Sequence, residues 1–144
     1  MVVQGLGGEE LQMSKLSKHF TEKELGCRCG CGCRVTPGLV DLLESIRVVV
    51  GLPILVNSGY RCEARNAREG GVPNSYHVQG MAADIRCSGM TADALWLQVR
   101  DLAIQGRLPT LGGLGRYTGR IHVDVRPRSV GRFAEWDYRG RGRG

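Results

Sequence analysis

No stretch of the 144-residue chain is apolar for long enough to cross a membrane. The longest such run, Val48 to Val56, is interrupted by Gly51 and Pro53, and a spanning helix needs roughly 20 apolar residues. Met1 to Gln12 also lacks a basic start followed by an apolar core. The expectation is therefore synthesis in the cytoplasm without a signal peptide. Acidic residues are in deficit: 14 Asp and Glu stand against 20 Lys and Arg, a net charge of +6. Part of the excess is terminal, because residues 126–144 hold six Arg against Glu135 and Asp137. A basic balance favours polyanionic partners, whether nucleic acid, anionic lipid or an acidic wall polymer, without choosing among them. Histidine is scarce, with three in the chain.

The composition that remains is that of an ordinary globular domain, 42% hydrophobic and 24% charged, which excludes disorder of the whole chain. At this length one domain is expected, and it can bury roughly two thirds of its unfolded surface. Residues 1–15 read as a flexible leader, 16–138 as the folded domain and 139–144 as a disordered Arg/Gly tail. Thr21 followed by Glu24 is a capping-box pattern opening a short helix that stops at Gly26. Thr36-Pro37 predicts the start of a core helix over 37–50, with Leu39, Val40, Leu43, Ile46 and Val50 at helical spacing. Residues 53–57 read as a buried strand, 62–69 as a polar helix, 72–80 as a loop and 81–87 as a strand. Thr91 caps a second core helix reaching about Gln105. The glycine-rich 112–119 predicts a turn between two strands, the second being Ile121 to Val125. The order α, α, β, α, β, α, β, β suits an α+β fold, a small mainly antiparallel sheet with helices packed on it.

Two of the three histidines sit in chemically suggestive settings. Ser75-Tyr76-His77-Val78-Gln79-Gly80-Met81-Ala82-Ala83-Asp84 places His77 in a loop and Asp84 in the following strand. Ile121-His122-Val123-Asp124 places a second His and Asp on one face of another strand, since alternate residues point the same way. Two imidazoles and a carboxylate suffice for a zinc site with an open position for water. Spacing alone does not demand that site, and histidines in core strands more often have a purely structural role.

The string Ser75-x-His77-x-x-Gly80-x-Ala82-x-Asp84, with His122-Val123-Asp124 downstream and Ser58-Gly59-Tyr60-Arg61 upstream, resembles the zinc D-Ala-D-Ala carboxypeptidase family of peptidoglycan metallopeptidases. That family shares its fold with the hedgehog signalling domain. The resemblance runs from about Leu16 to Trp136. It implies zinc ligands at His77, Asp84 and His122, and at Arg61 an arginine that binds substrate and steadies the developing oxyanion. Ser75 matches a polar neighbour of the first ligand that acts by orienting it. The chain departs from the pattern at the general base. Several members carry an acid three residues before the last ligand, where this chain has Gly119, and others a His five before it, where it has Tyr117. Asp124 is then the nearest carboxylate, either accepting the water proton or orienting His122, and Tyr117 could donate to the oxyanion.

Taken together, the resemblance implies a zinc peptidase cutting stem peptides or cross-links of peptidoglycan as a D,D-carboxypeptidase or endopeptidase. It would act on the cell wall or in the periplasm, as a bacteriophage lysis enzyme or alongside phage virion proteins. A zinc-containing wall-binding module with little or no catalysis is the first alternative. The second is a nucleic-acid-binding protein built on the cysteines and the arginine tail, and it leaves His77, Asp84 and His122 without a purpose. Of the six cysteines, Cys27, Cys29, Cys31 and Cys33 alternate with other residues, while Cys62 and Cys87 lie apart. Two readings stand level. One is a second, structural zinc held by four thiolates, Cys62 replacing one of the run; the other is a stabilising loop of free or disulfide-linked thiols. His19 reads as a surface or capping residue and Trp96 as core.

Overall fold

The computed structural model describes residues 15–140. The expected leader, apart from Lys15, and residues 141–144 of the expected tail lie outside them. Arg139, assigned to the tail, is ion-paired with Asp137 at 2.7 Å. Among the described residues the chain forms α1 (Glu22–Leu25), α2 (Pro37–Val50), β1 (Ile54–Ser58), α3 (Glu63–Arg68), β2 (Ala82–Cys87), α4 (Ala92–Ile104), β3 (Gly113–Tyr117), β4 (Arg120–Asp124) and β5 (Ala134–Asp137). The architecture is α+β.

Side-chain chemistry sets the helix starts. The Thr21 hydroxyl accepts the Glu24 N–H at 3.2 Å while Glu24 Oε1 accepts the Thr21 N–H at 2.9 Å, a complete capping box. Thr36 caps α2 through the Leu39 N–H, Pro37 takes the first turn, and Gly51 ends the helix at φ 76°. Thr91 caps α4 through the Ala94 N–H at 3.1 Å. The buried faces of α2 (Leu39, Val40, Leu42, Leu43, Ile46) and α4 (Leu95, Val99, Leu102, Ala103) meet Ala83, Ile85, Cys87, Leu114, Ile121 and Val123 of the sheet.

The strands lie in the order β1-β2-β4-β3-β5. Every pairing is antiparallel except β3 with β5. Because strand residues alternate between faces, the pattern that sends Ala83, Ile85, Ile121 and Val123 into the core sends Asp84, His122 and Asp124 to the other face. The register sets Asp84 opposite His122, so two adjacent central strands present these groups side by side.

Two expectations need correction. A fifth strand, β5, extends the predicted set. Its residues Ala-Glu-Trp-Asp form a largely exposed edge with no apolar alternation, so nothing in their pattern marks a strand. The glycines around 113–115 belong to β3 rather than to a turn, and the chain reverses at Thr118-Gly119, where Gly119 has φ 83°. They are glycines for want of space. A Cβ on Gly113 would lie 2.4 Å from Asp124 Oδ2, and one on Gly115 would lie 2.5 Å from Trp136 Nε1.

Candidate metal centre and active site

His77 arrives on the 72–80 loop. Its Nδ1 lies 2.8 Å from the Gly59 carbonyl, which fixes the tautomer with Nδ1 as donor and turns the Nε2 lone pair outward. Nε2 then lies 3.3 Å from Asp84 Oδ1. The loop itself is fastened at several points. Ser75 Oγ accepts the His77 N–H at 3.1 Å, and the His77 carbonyl accepts the Arg61 N–H at 3.2 Å. Gly80 adopts φ 73° where a Cβ would sit 1.7 Å from the Arg34 carbonyl oxygen, so only glycine lets this loop lie against residues 34–35.

His122 offers the opposite nitrogen. Its Nδ1 lies 3.1 Å from Asp84 Oδ1, while Nε2 donates to Asp124 Oδ2 at 2.7 Å. The two imidazole rings stand edge to face, 5.3 Å between centroids. One donor atom each from His77, Asp84 and His122 lies within 4.8 Å of the others. A tetrahedral ion with bonds near 2.1 Å separates its nitrogen and oxygen ligands by about 3.4 Å, which the 3.1 and 3.3 Å separations approach. Donor types, tautomers and spacing all fit zinc.

The field at this point is negative. Burial opposes the charge on Asp84, but without a metal, protons on the facing His122 and His77 nitrogens would outweigh it and hold the carboxyl well below its usual range. Burial likewise opposes a proton on His122, yet Asp124 and Asp84 raise its affinity for one. Electrostatics that draw a proton onto a buried imidazole also favour a cation.

Asp124 is fully buried and does not line the cleft. It lies behind the His122 ring. Its oxygens accept from His122 Nε2 and, at 2.9 and 2.7 Å, from Arg126 Nε and Nη2. Burial pushes its carboxyl upward and these partners more than reverse that, bringing it to about 2.

The cleft above the triad encloses about 850 Å³, and its walls include Arg61, Arg65, Arg120 and Arg126. Arg61 is buried to 9% exposure. Its Nη1 donates to Glu69 Oε1 at 3.2 Å, and its buried Nε has no hydrogen-bond partner among the described residues. Glu69 also pairs with Arg65. The Tyr117 hydroxyl oxygen accepts the Trp136 indole N–H at 2.9 Å, and burial raises the phenol's pKa, keeping it a donor.

Other residues also border the site, and two of them, Arg120 and Arg126, carry no motif signal in the sequence. Trp136 lies 5.2 Å from the His122 ring across the bare backbone of Gly115. Arg126, counted with the basic C-terminal charge, is the partner of Asp124. Arg120 lies 3.9 Å from Asp84 Oδ2. His19 is half-buried against Glu44, with Nδ1 2.7 Å from Oε1. Trp96 is only partly buried, with the Arg116 guanidinium 4.1 Å from its ring centre.

The cysteines also divide differently from their spacing. Cys27, Cys29, Cys31 and Cys62 bring their sulfurs within 4.8 Å of one another. Cys33 is not among them; it packs against the core, where burial raises its thiol pKa. A single extended run of alternate cysteines cannot turn all four sulfurs to one point, and the glycine turns after Cys29 and Cys31 direct Cys33 inward.

No helix among the described residues is long and apolar enough to cross a membrane. No curated protein matches the chain. The sequence does match the family described as Peptidase M15, over residues 10–124. That span takes in Arg61, Ser75 and all three prospective ligands, and M15 peptidases are zinc-dependent. A match over most of the chain makes the protein a member of peptidase family M15.

Proposed function

We propose that this chain is a zinc peptidase that hydrolyses peptide bonds of peptidoglycan, in stem peptides or their cross-links, with His77, Asp84 and His122 as the metal ligands. The observation that carries the reading is the convergence of these three donors below a cleft walled by arginines. A peptide bearing carboxylates suits such walls. When bound, the ion polarises the scissile carbonyl and brings the pKa of a water to about 7.

The chain's own residues supply orientation and charge. Arg61 lines the cleft, where its guanidinium binds a substrate carboxylate or the oxyanion that forms at the attacked carbonyl. Glu69 and the backbone of His77 hold Arg61 in place. Tyr117 accepts from Trp136, which leaves its O–H to donate to the same oxyanion. Asp124 keeps His122 in the tautomer whose Nδ1 lone pair faces the ligand site. A role in phage lysis or in a virion tail accords with a small basic wall enzyme.

One observation favours a second reading, a zinc-containing wall-binding module. The carboxylates lining the cleft are Asp84, a ligand, and Glu69, engaged by two arginines. Gly119 offers no side chain and Asp124 lies outside the cleft. The zinc-loaded protein incubated with purified peptidoglycan, followed by mass spectrometry of the released and residual muropeptides, decides between the two. Release of D-alanine or opening of cross-links is expected. Binding to the wall with no new peptide species overturns the peptidase reading in favour of the module.

A further inference from the structure

We propose that Cys27, Cys29, Cys31 and Cys62 form a second metal site, holding one structural zinc ion by four thiolates. The sulfur separations carry this assignment. The Cys27–Cys29, Cys27–Cys62 and Cys29–Cys62 sulfur distances are 3.3, 3.8 and 3.8 Å. Four sulfurs bound tetrahedrally at about 2.3 Å stand about 3.8 Å apart. A disulfide would bring one pair to about 2.05 Å and leave the others unequal. Here Cys27, Cys29 and Cys62 form a near-equilateral set and Cys31 completes the group. All six cysteines are free thiols.

Local backbone explains how so tight a spacing converges. Thiolate pairs on one zinc are commonly separated by two to four residues because the chain must curl between ligands. This loop curls at glycine instead: Gly30 has φ 84° and Gly32 φ 139°. Hydrogen bonds from the Gly30 N–H to the Cys27 carbonyl and from the Cys27 N–H to the Gly32 carbonyl close the loop at 2.9 and 2.8 Å. The Cys62 N–H donates to Cys27 Sγ at 3.4 Å, a contact that favours a thiolate. Arg65 is close enough to interact electrostatically with Cys27 and Cys29, offsetting part of the net negative charge of a four-thiolate zinc centre.

The site has a consequence for the cleft. Cys62 follows Arg61 directly and is the N-cap of α3, yet its side chain caps nothing in the helix; it turns to the sulfur cluster. An ion there ties the 27–31 loop to the segment that presents Arg61 and to the helix leading to Glu69. This inference stands on the sulfur geometry and does not depend on the substrate of the His77 site.

The test uses the full chain, purified under reducing conditions with zinc supplied. Elemental analysis should find two zinc ions per chain. The double variant H77A/H122A should keep one, and C29S/C31S should also keep one while melting at a lower temperature. Cobalt loaded into H77A/H122A should show the intense thiolate-to-metal charge-transfer band of a tetrahedral sulfur site, a signature available even if C29S/C31S fails to fold. A single zinc in the wild type, lost in H77A/H122A, overturns the proposal. So does iron at the cysteines, or mass spectrometry showing these residues paired as disulfides in zinc-supplied protein.

Discussion

His122 engages both of its nitrogens, and the partner of each decides what the other can do. With Nε2–H bound to Asp124 at 2.7 Å, Nδ1 keeps its lone pair toward Asp84 and the cleft. Asp124 is itself gripped by Arg126 and carries no exposed surface. A water poised over the triad would have to reach through the imidazole to give it a proton. Asp124→Asn should therefore weaken zinc binding by about 10–100-fold, the usual cost of losing a partner that orients a ligand. Competition against a chromophoric chelator measures this. Full zinc affinity combined with a collapse in turnover would instead make Asp124 a proton acceptor. Arg61 offers a separate test. Arg61→Lys replaces a planar fork, one limb held by Glu69 and one N–H unpartnered, with a single ammonium. Turnover of a wall peptide should fall by about 10²-fold with zinc content unchanged. Unaltered kcat/KM would remove Arg61 from the machinery.

At the scale of elements, the ligand loop and the sheet were legible in unequal measure. Helix caps at Thr21, Thr36 and Thr91, and the alternation of Ile121 to Asp124, are local signals, and each is found in place. The assignment of His77 and Asp84 to a loop and a strand needed only neighbouring residues. What escaped was long-range. The register that sets Asp84 against His122 and the arrival of Trp136 over Gly115 depend on strands apart in sequence, and which cysteine of the run gives way to Cys62 depends on how the 27–33 loop folds. The glycines of 112–119 suggest a turn by composition, whereas in β3 they are clearance for groups contributed by β4 and β5. Two glycines with similar φ separate these roles. Gly119→Ala meets open space at φ 83° and should cost only the backbone strain of a left-handed residue, about 1–2 kcal/mol. Gly80→Ala adds a collision with the Arg34 carbonyl at φ 73°. It should cost about 3 kcal/mol or more and loosen zinc as well, because the loop carries His77. Denaturant titrations of both variants check the order, and equal losses would show that the ligand loop yields without strain.

For the whole molecule, the deficit of acid shapes stability. Several of the acidic groups are engaged by specific partners. Glu44 receives the Ser17 hydroxyl, the His19 N–H and the His19 ring, and so fastens the 15–20 segment to α2. Burial would raise its pKa, but these hydrogen bonds prevail and lower it from its ordinary 4.5. Glu69 behaves alike: burial raises, and the Arg65 and Arg61 hydrogen bonds lower, with a net fall from 4.5. A carboxyl with a depressed folded pKa contributes stability that is complete above its unfolded value and is lost as pH falls through the folded one. Protonating such groups also uncovers the repulsion among 20 Lys and Arg residues. The metal-free protein should accordingly hold its stability down to about pH 4.5 and lose it steeply below. Glu44→Gln should lower stability by about 1 kcal/mol near neutrality and flatten the acid limb, so that wild type and variant converge at low pH. Urea titrations of both proteins across that range, made without zinc so that ligand protonation does not contribute through metal loss, provide the measurement. Parallel acid limbs with a constant gap would mean that the hydrogen bonds around Glu44 do not depend on its charge.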